Sequence, residues 1–314
     1  MPRAFRGPAR PRERAGACSA RGRLGARHRA RARARATVQQ GHLVDGSRQQ
    51  GGLPATPVTP APAAATVGSV TPRARLFGTV ATAYAEHRPG YPAAAAAWAL
   101  EPVADRAGLH VLDLGAGTGK LTEAVLRHAE VTAVDPDPAM LVELRARVPR
   151  ARAAAGTAEG IPLPGASVDA VVCGQAWHWF DLPRALPEIV RVLRPGGVLA
   201  VVRNDEDPDN RLMNEFLDAD ALSAREGGHD HGWTPPSHEA FGAVERRRFP
   251  NPHPTDVDST IARLGTFSWL LAADPGERGA FERRLRAYLA GHPETASGEF
   301  VLPLVTTVLR ALRR

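Results

Sequence analysis

The stretch of this sequence best suited to hold a ligand is a glycine-rich turn, residues 115–119, that directly follows the short apolar run His110–Leu114. Glycines let the backbone turn tightly and approach a ligand that a Cβ atom would hold away. Asp113 stands at the end of the apolar run, close to the same ligand. Asp135 ends the next apolar run, twenty residues beyond Gly115, where a carboxylate can accept both hydroxyls of a ribose.

Three kinds of ligand could use such a turn, and the residues favour one of them. A phosphate-binding P-loop has a glycine five residues before Gly119 and a Ser or Thr after its lysine, where this chain has Leu114 and Leu121. A dinucleotide-binding turn has its third glycine one residue later, and Asp113 would place a negative charge near the pyrophosphate. A cationic nucleoside without phosphates, S-adenosylmethionine, tolerates that acid. The turn therefore favours this cofactor, and Lys120 is interpreted as a surface residue of the following helix.

Aromatic and cationic residues at two other places could form a pocket for a second substrate. Trp177, His178 and a further tryptophan follow the apolar run 168–173, which would place them at the ligand edge of a sheet. We predict that Trp177 lines the pocket, that one of the two tryptophans is core, and that His178 is the candidate catalytic base. Arg88 and Tyr91 are predicted to bind substrate, because a guanidinium suits a carboxylate. The alternative for Arg88 is a salt bridge within the N-terminal segment.

Alternating strands and helices must position these residues. Apolar runs predict strands at 110–114, 131–134, 151–155, 168–173, 198–202, 243–250 and 300–308. Helical spacing predicts helices at 77–85, 91–103, 138–148, 182–193, 255–264 and 277–290. Such alternation indicates an α/β fold with a doubly wound, mostly parallel sheet. Ligands of such sheets bind beyond the carboxyl ends of the strands.

Charge is distributed unevenly along the chain. The first 50 residues carry 13 arginines against two acids, whereas the remaining residues carry 27 basic and 31 acidic groups. The folded part is therefore mildly acidic and gives no electrostatic reason to expect a nucleic-acid partner. Residues 1–71, Arg-rich and then Pro- and Ala-rich, show no apolar period and are predicted to be a disordered extension. An organellar transit peptide and a nucleic-acid-binding arm are the alternatives for this segment.

The composition also indicates the cellular compartment of the protein and whether it binds a membrane or a metal ion. The chain has two cysteines, which rules out a disulfide scaffold and favours a reduced, cytoplasmic setting. It has no run of 18 apolar residues, so we expect no membrane partner. Residues 228–231 place two histidines around an aspartate, but a Gly-rich loop of this kind is expected to be solvated. We therefore predict no metal site.

Five segments, in order, resemble the motifs of the class I S-adenosylmethionine-dependent methyltransferases: residues 113–119, 134–135, 156–164, 168–180 and 193–197. Residues 84–92, Tyr-Ala-Glu-His-Arg-Pro-Gly-Tyr-Pro, are similar to the trans-aconitate methyltransferase-like branch. The resemblance implies a seven-stranded Rossmann-like sheet with an antiparallel edge strand and a helical cap. It divides the chain into the extension 1–71, a core with its cap at 72–204, and a substrate lid with the last two strands at 205–314.

The resemblance also implies a role for the residues around the glycine turn. Gly115, Ala116 and Gly117 would lie against the methionine part of the cofactor. Asp113 would reach its ammonium group, and Asp135 would hold the ribose hydroxyls.

Further residues would complete the two sites. Met140 would pack on the adenine face, with plain core packing as the alternative. Thr157 stands where many relatives carry an acid that bonds the adenine amino group, and the Ala158 N–H could bond the ring. Gln175 would border the cofactor, and Trp269 would belong to the apolar underside of the lid.

The activity implied is methyl transfer to a small molecule, with a carboxylic acid as the acceptor suggested by the branch. A carboxylate needs no general base, whereas a hydroxyl or carbon acid does. Transfer to carbon or oxygen of another small metabolite stays open, as does a non-catalytic regulator that binds S-adenosylmethionine. An RNA methyltransferase that uses the basic arm is disfavoured by the acidic fold.

Overall fold

The computed structural model describes residues 78–220, 222–223 and 238–314. Nine strands lie within them: β1 (His110–Leu114), β2 (Glu130–Asp135), β3 (Arg152–Ala155), β4 (Val168–Gly174), β5 (Leu193–Glu206), β6 (Glu245–Pro250), β7 (His253–Asp256), β8 (Glu299–Leu302) and β9 (Leu304–Leu312). The α-helices of the same ranges are α1 (Ala81–His87), α2 (Ala93–Leu100), α3 (Lys120–Val125), α4 (Pro138–Arg147), α5 (Leu182–Val192), α6 (Arg211–Ala219), α7 (Val257–Gly265), α8 (Ser268–Leu271) and α9 (Pro275–Ala290).

Seven of the strands form one sheet in the order β3-β2-β1-β4-β5-β9-β6. The pairs β2–β3, β1–β2, β1–β4 and β4–β5 are parallel, whereas β9 runs antiparallel to both β5 and β6. The seven-stranded, mostly parallel sheet with antiparallel pairing at one edge is thereby confirmed, and the antiparallel strand β9 lies next to the edge strand β6. The order reverses between β1 and β4, which is where α/β sheets of this kind bind their ligands.

The sheet is buried on both faces, as its largely apolar inner strands lead one to expect. Val111 packs on one face with α2 and α3, and its neighbours Leu112 and Leu114 pack on the other face with α5. Strand side chains alternate between faces, so Asp113 shares the face of Val111 and lies against α3.

A further apolar cluster lies beside the carboxyl end of β5, and we call the elements that form it the lid. It joins α6, α7, α8 and α9 with the separate two-stranded sheet β7–β8. Phe281 of α9 is fully buried at its centre, in edge contact with Phe216 of α6. The lid therefore has a core of its own and can hold a pocket against the main sheet.

Two predictions about this region are wrong in detail. The predicted strand 300–308 is two strands in two different sheets, because Pro303 lacks the N–H that a continuous ladder would need. The predicted helix at 255–264 begins at Val257, since Thr255 pairs in β7 and the Asp256 side chain caps the helix by accepting from the Ser259 N–H. The extension 1–71 and the histidines of residues 228–231 lie outside the described residues.

Asp169 is the single acid in buried β4, and its hydrogen bonds connect β4 to β1, to β5 and to the segment that carries Arg106. Its carboxylate accepts from Arg106 at 3.0 Å, from Arg194 at 2.7 Å and from the His110 N–H at 3.0 Å. Burial raises the pKa of Asp169, but these three donors outweigh it and hold the pKa below its ordinary value. The residue is therefore structural.

The described ranges contain no helix long and apolar enough to cross a membrane. Within the same ranges no three metal-binding side chains come together.

Candidate active site

The glycine turn after β1 has the backbone conformation that the sequence predicts. Gly115, Gly117 and Gly119 have φ values of +70°, +55° and +87°, in the left-handed region that glycine adopts at no steric cost. A Cβ atom on Gly115 would lie 2.5 Å from the Cβ of Ala176, so a side chain is excluded there. At Gly117 a Cβ would meet nothing within 4 Å. The turn therefore leaves open space beside Gly117 for a ligand.

Asp113 is fully buried at the end of β1. Thr122 Oγ1 donates to its Oδ2 at 2.6 Å, while its Oδ1 has no hydrogen-bond partner among the described residues. Burial raises the pKa of Asp113 to about 7; the bond from Thr122 opposes this, and the nearby Asp135 adds to it. An unpartnered buried carboxylate oxygen is costly, and a cationic donor would satisfy it.

Asp135 lies at the end of β2 and touches the glycine turn directly. Its Oδ2 accepts from the Gly117 N–H at 2.8 Å, and its Oδ1 accepts from the Asp137 N–H at 2.9 Å. Burial raises the pKa of Asp135 to about 6, against the effect of these two N–H groups. Each carboxylate oxygen can accept a second bond, so two hydroxyl donors can still be bound.

The residues predicted for the adenine lie near the outer strands β2 and β3. Met140 is buried in the first turn of α4, which Asp137 caps. Thr157 and Ala158 follow β3, both nearly buried, and Ala158 packs in the core cluster of β1 and β4. The structure places all three on the β2–β3 side of the glycine turn, the side on which Asp135 lies.

A cavity of about 80 Å³ opens at the carboxyl ends of β4 and β5. It lies between the lid and the segment that carries Arg88 and Tyr91, which we call the N-terminal cap. Its walls bring together residues from distant parts of the chain, among them Arg88, Tyr91, Lys120, Gln175, Asn204 and Arg263. A volume of this size holds a few water-sized groups, which suits a small molecule.

Arg88 and Tyr91, the residues predicted to bind substrate, both lie on the wall of this cavity. The Arg88 Nε donates to Thr266 Oγ1 at 2.7 Å and its Nη2 to the Thr266 carbonyl at 3.1 Å. The guanidinium also lies 3.9 Å from the ring centroid of Phe267, in cation–π contact. Arg88 thus fastens the cap to the lid while it borders the cavity. Burial raises the pKa of Tyr91 well above its ordinary value, so its hydroxyl stays protonated and can donate.

Gln175 borders the cavity in a strained backbone conformation. Its φ is +57°, which is uncommon for a residue with a side chain. Its backbone N–H donates to the Val202 carbonyl at 3.0 Å, and its Nε2 donates to the Asn204 carbonyl at 2.8 Å. These two hydrogen bonds to β5 fix the turn after β4. Strain of this kind persists where the surroundings hold a side chain in a particular place.

The aromatic cluster after β4 and the predicted lid aromatic do not reach the cavity. Trp177 is fully buried in the core with Phe180, so it is the core tryptophan and does not line the pocket. His178 is exposed, against the ring of Trp179. Trp269 packs edge-on against Phe281 inside the lid. Periodicity could not show these outcomes, because the short 3₁₀ turn over residues 177–179 sends consecutive side chains in different directions.

Several cavity residues were not found from the sequence. Lys120 was interpreted as a surface residue, yet it is half-buried on the cavity wall. Arg263 of the lid and Glu206 of β5 form a buried ion pair at 2.6 Å. Asn204, at the carboxyl end of β5, donates to the Gly90 carbonyl at 3.0 Å. Only Asn204 had a sequence signal, its place just beyond a predicted strand.

Comparison with known proteins agrees with this fold. Residues 112–201 match the family described as "Methyltransferase domain". The chain is 41% identical over 240 residues to the uncharacterized methyltransferase Rv3342 of Mycobacterium tuberculosis, covering 75% of this chain and 94% of that protein. A solved structure from Anaeromyxobacter dehalogenans, described as a type II methyltransferase, shares 31% identity with a TM-score of 0.53, covering 72% of this chain and 97% of that one. Trans-aconitate 2-methyltransferase of Paracidovorax citrulli is 36% identical over 116 residues, covering 35% of this chain and 45% of that protein.

The chain belongs to the class I S-adenosylmethionine-dependent methyltransferases. It is an enzyme of that class, and S-adenosylmethionine is its cofactor. The described residues fit this cofactor. Among the described residues, Asp113 offers an ammonium group a buried carboxylate oxygen that has no hydrogen-bond partner, and no atom fills the space beside Gly117.

Proposed function

We propose that this methyltransferase acts on a small molecule and transfers the methyl group to a carboxylate oxygen. The cavity between cap, sheet and lid carries this proposal, because it is small and its wall holds the cations Arg88 and Lys120, while its two carboxylates, Asp205 and Glu206, are each paired with an arginine. A carboxylate is the acceptor that such a wall would attract. The matching trans-aconitate 2-methyltransferase has a carboxylic acid in its name, which supports the same acceptor class.

The proposed cofactor site follows the sheet order β2-β1-β4. Neighbouring strands lie about 4.8 Å apart, so a ligand that starts at β2 reaches the β4 edge after about 10 Å. Asp135 would accept the ribose hydroxyls, with Met140, Thr157 and Ala158 around the adenine. Asp113 would accept from the ammonium group while residues 115–117 border the methionine part. Gln175 would then mark the passage to the cavity.

The chain's own residues have a limited chemical task in this reaction. When bound, S-adenosylmethionine supplies a methyl group on a positively charged sulfur. Arg88 would orient the acceptor carboxylate from the cavity wall, and the lid would keep water out. A carboxylate is already a nucleophile at neutral pH, so no proton has to be removed. The exposed position of His178 is compatible with a reaction that needs no base at that place.

Methyl transfer from labelled cofactor to a panel of mono-, di- and tricarboxylic acids tests the proposal. Methyl esters release methanol in alkali, whereas methyl groups on carbon, nitrogen or ether oxygen do not. We expect alkali-labile product with at least one small acid, and much less product with an Asp135→Ala chain when the cofactor is below saturation. An Asp105→Ala chain is the matched control, because Asp105 is an exposed carboxylate. Product that is stable in alkali, or no transfer to any acid, would contradict the proposed acceptor.

A further inference from the structure

Lys120 is the one lysine of the 314-residue chain, and all the other basic side chains except histidine are arginine. It is the first residue of α3, half-buried, on the wall of the cavity described above. Burial lowers its pKa, and the charge of Arg147 lowers it further, against the opposing effect of Glu123. A compact ammonium group has therefore been partly removed from water at the proposed acceptor site.

The charges around Lys120 do not neutralise it. The two carboxylates of the cavity wall are held by arginines: Glu206 by Arg263 at 2.6 Å and Asp205 by Arg203 at 2.7 Å. Lys120 itself forms no ion pair with any carboxylate of the described residues. The remaining titratable groups of the wall are Arg88 and two tyrosines.

The positive charges of this wall also lower the pKa of the nearby His253. Burial lowers its pKa first, and Arg263 and Lys120 lower it further. A half-buried cation without an acid partner is unfavourable unless an anion joins it. The wall is thus complementary to an anion small enough for a cavity of about 80 Å³.

We infer that Lys120 is a ligand-binding residue that holds a carboxylate in this cavity, on the wall that it shares with Arg88. The inference rests on the proposed function and deepens it, since it assigns a residue to the acid group. Two sources share this chemistry: an acid group of the acceptor, and the amino-acid carboxylate of the cofactor. Lysine suits the position because it is a compact point charge, whereas arginine presents a planar fork.

A single lysine makes the inference directly measurable. Full-length chain labelled with [¹³C,¹⁵N]lysine gives signals from Lys120 alone, and following its ε-carbon against pH reports its pKa. Three probes separate the two sources. S-adenosylhomocysteine carries the amino-acid carboxylate, 5′-methylthioadenosine is the same nucleoside thioether without it, and malonate represents an acceptor acid.

We expect the pKa of Lys120 to rise by about 1 unit when its carboxylate partner binds, the effect of an opposite charge within a few ångströms. A rise with S-adenosylhomocysteine but not with 5′-methylthioadenosine supports the cofactor carboxylate as the partner. A rise with malonate, alone or on top of either nucleoside, supports the acceptor acid. Unchanged Lys120 signals with all three probes would overturn the inference.

A binding measurement keeps this result distinct from failure of the proposed function. Calorimetry that shows S-adenosylhomocysteine bound while Lys120 stays unmoved overturns only the role of Lys120. If the nucleoside does not bind, the proposed function fails, and the malonate titration of the chain alone still decides the inference.

Substitution gives a second, independent readout. Lys120→Met keeps the length of the side chain without its charge and should weaken binding of the responsive probe at least tenfold, while Lys120→Arg should recover part of the loss. Arg127→Met is the matched control, because it removes an exposed cation just after the same helix. Equal affinity in Lys120→Met and Arg127→Met would contradict the inference.

Discussion

Replacing Asp113 by asparagine should make the cofactor-free protein more stable while it weakens cofactor binding. The carboxylate is fully buried, one of its oxygens has no partner among the described residues, and its pKa is raised from 3.8 to about 7. Asparagine keeps an oxygen that can accept from Thr122 and removes the buried charge. The substitution therefore relieves an unfavourable state that is useful only when a cation is bound.

The magnitude follows from the pKa. A rise of about 3 units, at about 1.4 kcal/mol each, means that the ionised form of Asp113 costs about 4 kcal/mol in the folded chain above pH 7. The two N–H donors of the new amide need acceptors in the buried site, and this offsets part of the gain. We therefore expect a net gain of about 2 kcal/mol in unfolding free energy at pH 8. For a domain of this size that is roughly 4–8 °C in melting temperature.

The pH dependence has a definite sign. Between about pH 4 and pH 7 the unfolded chain loses the Asp113 proton while the folded chain keeps it, so the contribution of this group to stability falls as pH rises. Asp113→Asn should remove that part of the slope, and the gain should disappear near pH 4.

Thermal melting from pH 4 to pH 8 and calorimetry with S-adenosylhomocysteine are the assays. Asp105→Asn, at an exposed carboxylate, is the matched control and should change neither quantity. An Asp113→Asn chain that melts at or below the wild-type temperature at pH 8 would refute the argument from burial. Unchanged cofactor affinity would refute the assignment of Asp113 to the ammonium group.

Asp135→Ala should weaken cofactor binding by about 1–3 kcal/mol, the range for hydrogen bonds to a charged group, and wild-type affinity in calorimetry would exclude the ribose contact. Asp169→Asn should lower the unfolding free energy by about 2 kcal/mol at pH 7, because two partly exposed arginines lose their buried partner. In thermal melts this difference from the wild-type chain should vanish as pH falls below about 4, where Asp169 becomes protonated. An equal difference at low pH would contradict the prediction. Arg88→Leu should lower the rate of methyl transfer at least tenfold while His178→Ala leaves it within about twofold, and the reverse order would place the acceptor elsewhere. A chain that starts near Val70 should keep the melting temperature and cofactor affinity of the full chain, and a drop of several degrees would show that the extension contributes to the fold.

The residues of the proposed cofactor side could be brought together from the sequence, because their placement is encoded locally. Asp113, the three glycines of the turn and Asp135 are all fixed by strands that end where apolar runs end in the sequence. The parallel sheet then brings those ends to one edge without further information. Alternation of side chains in a strand also accounts for the burial of Asp113 against α3.

The acceptor side was less predictable because it depends on contacts between distant segments. Arg263 and Glu206 are 57 residues apart, and nothing near either residue indicates the other. The chemistry of Arg88 suggested its place at the candidate site, but its hydrogen-bond partner Thr266 lies 178 residues away. The place of Lys120 on the cavity wall has no signal in the sequence, because a lysine after a glycine turn that lacks the P-loop motif predicts a solvated residue. The break at Pro303, by contrast, had a signal in the proline itself.

A crystal structure of the full chain with S-adenosylhomocysteine tests the proposed site most directly. We predict the ribose hydroxyls on Asp135, the ammonium nitrogen within hydrogen-bond distance of Asp113 Oδ1, and the sulfur facing the cavity that Arg88 and Lys120 line. A nucleoside bound away from Asp135, or a sulfur that faces away from this cavity, would contradict the proposed route of methyl transfer.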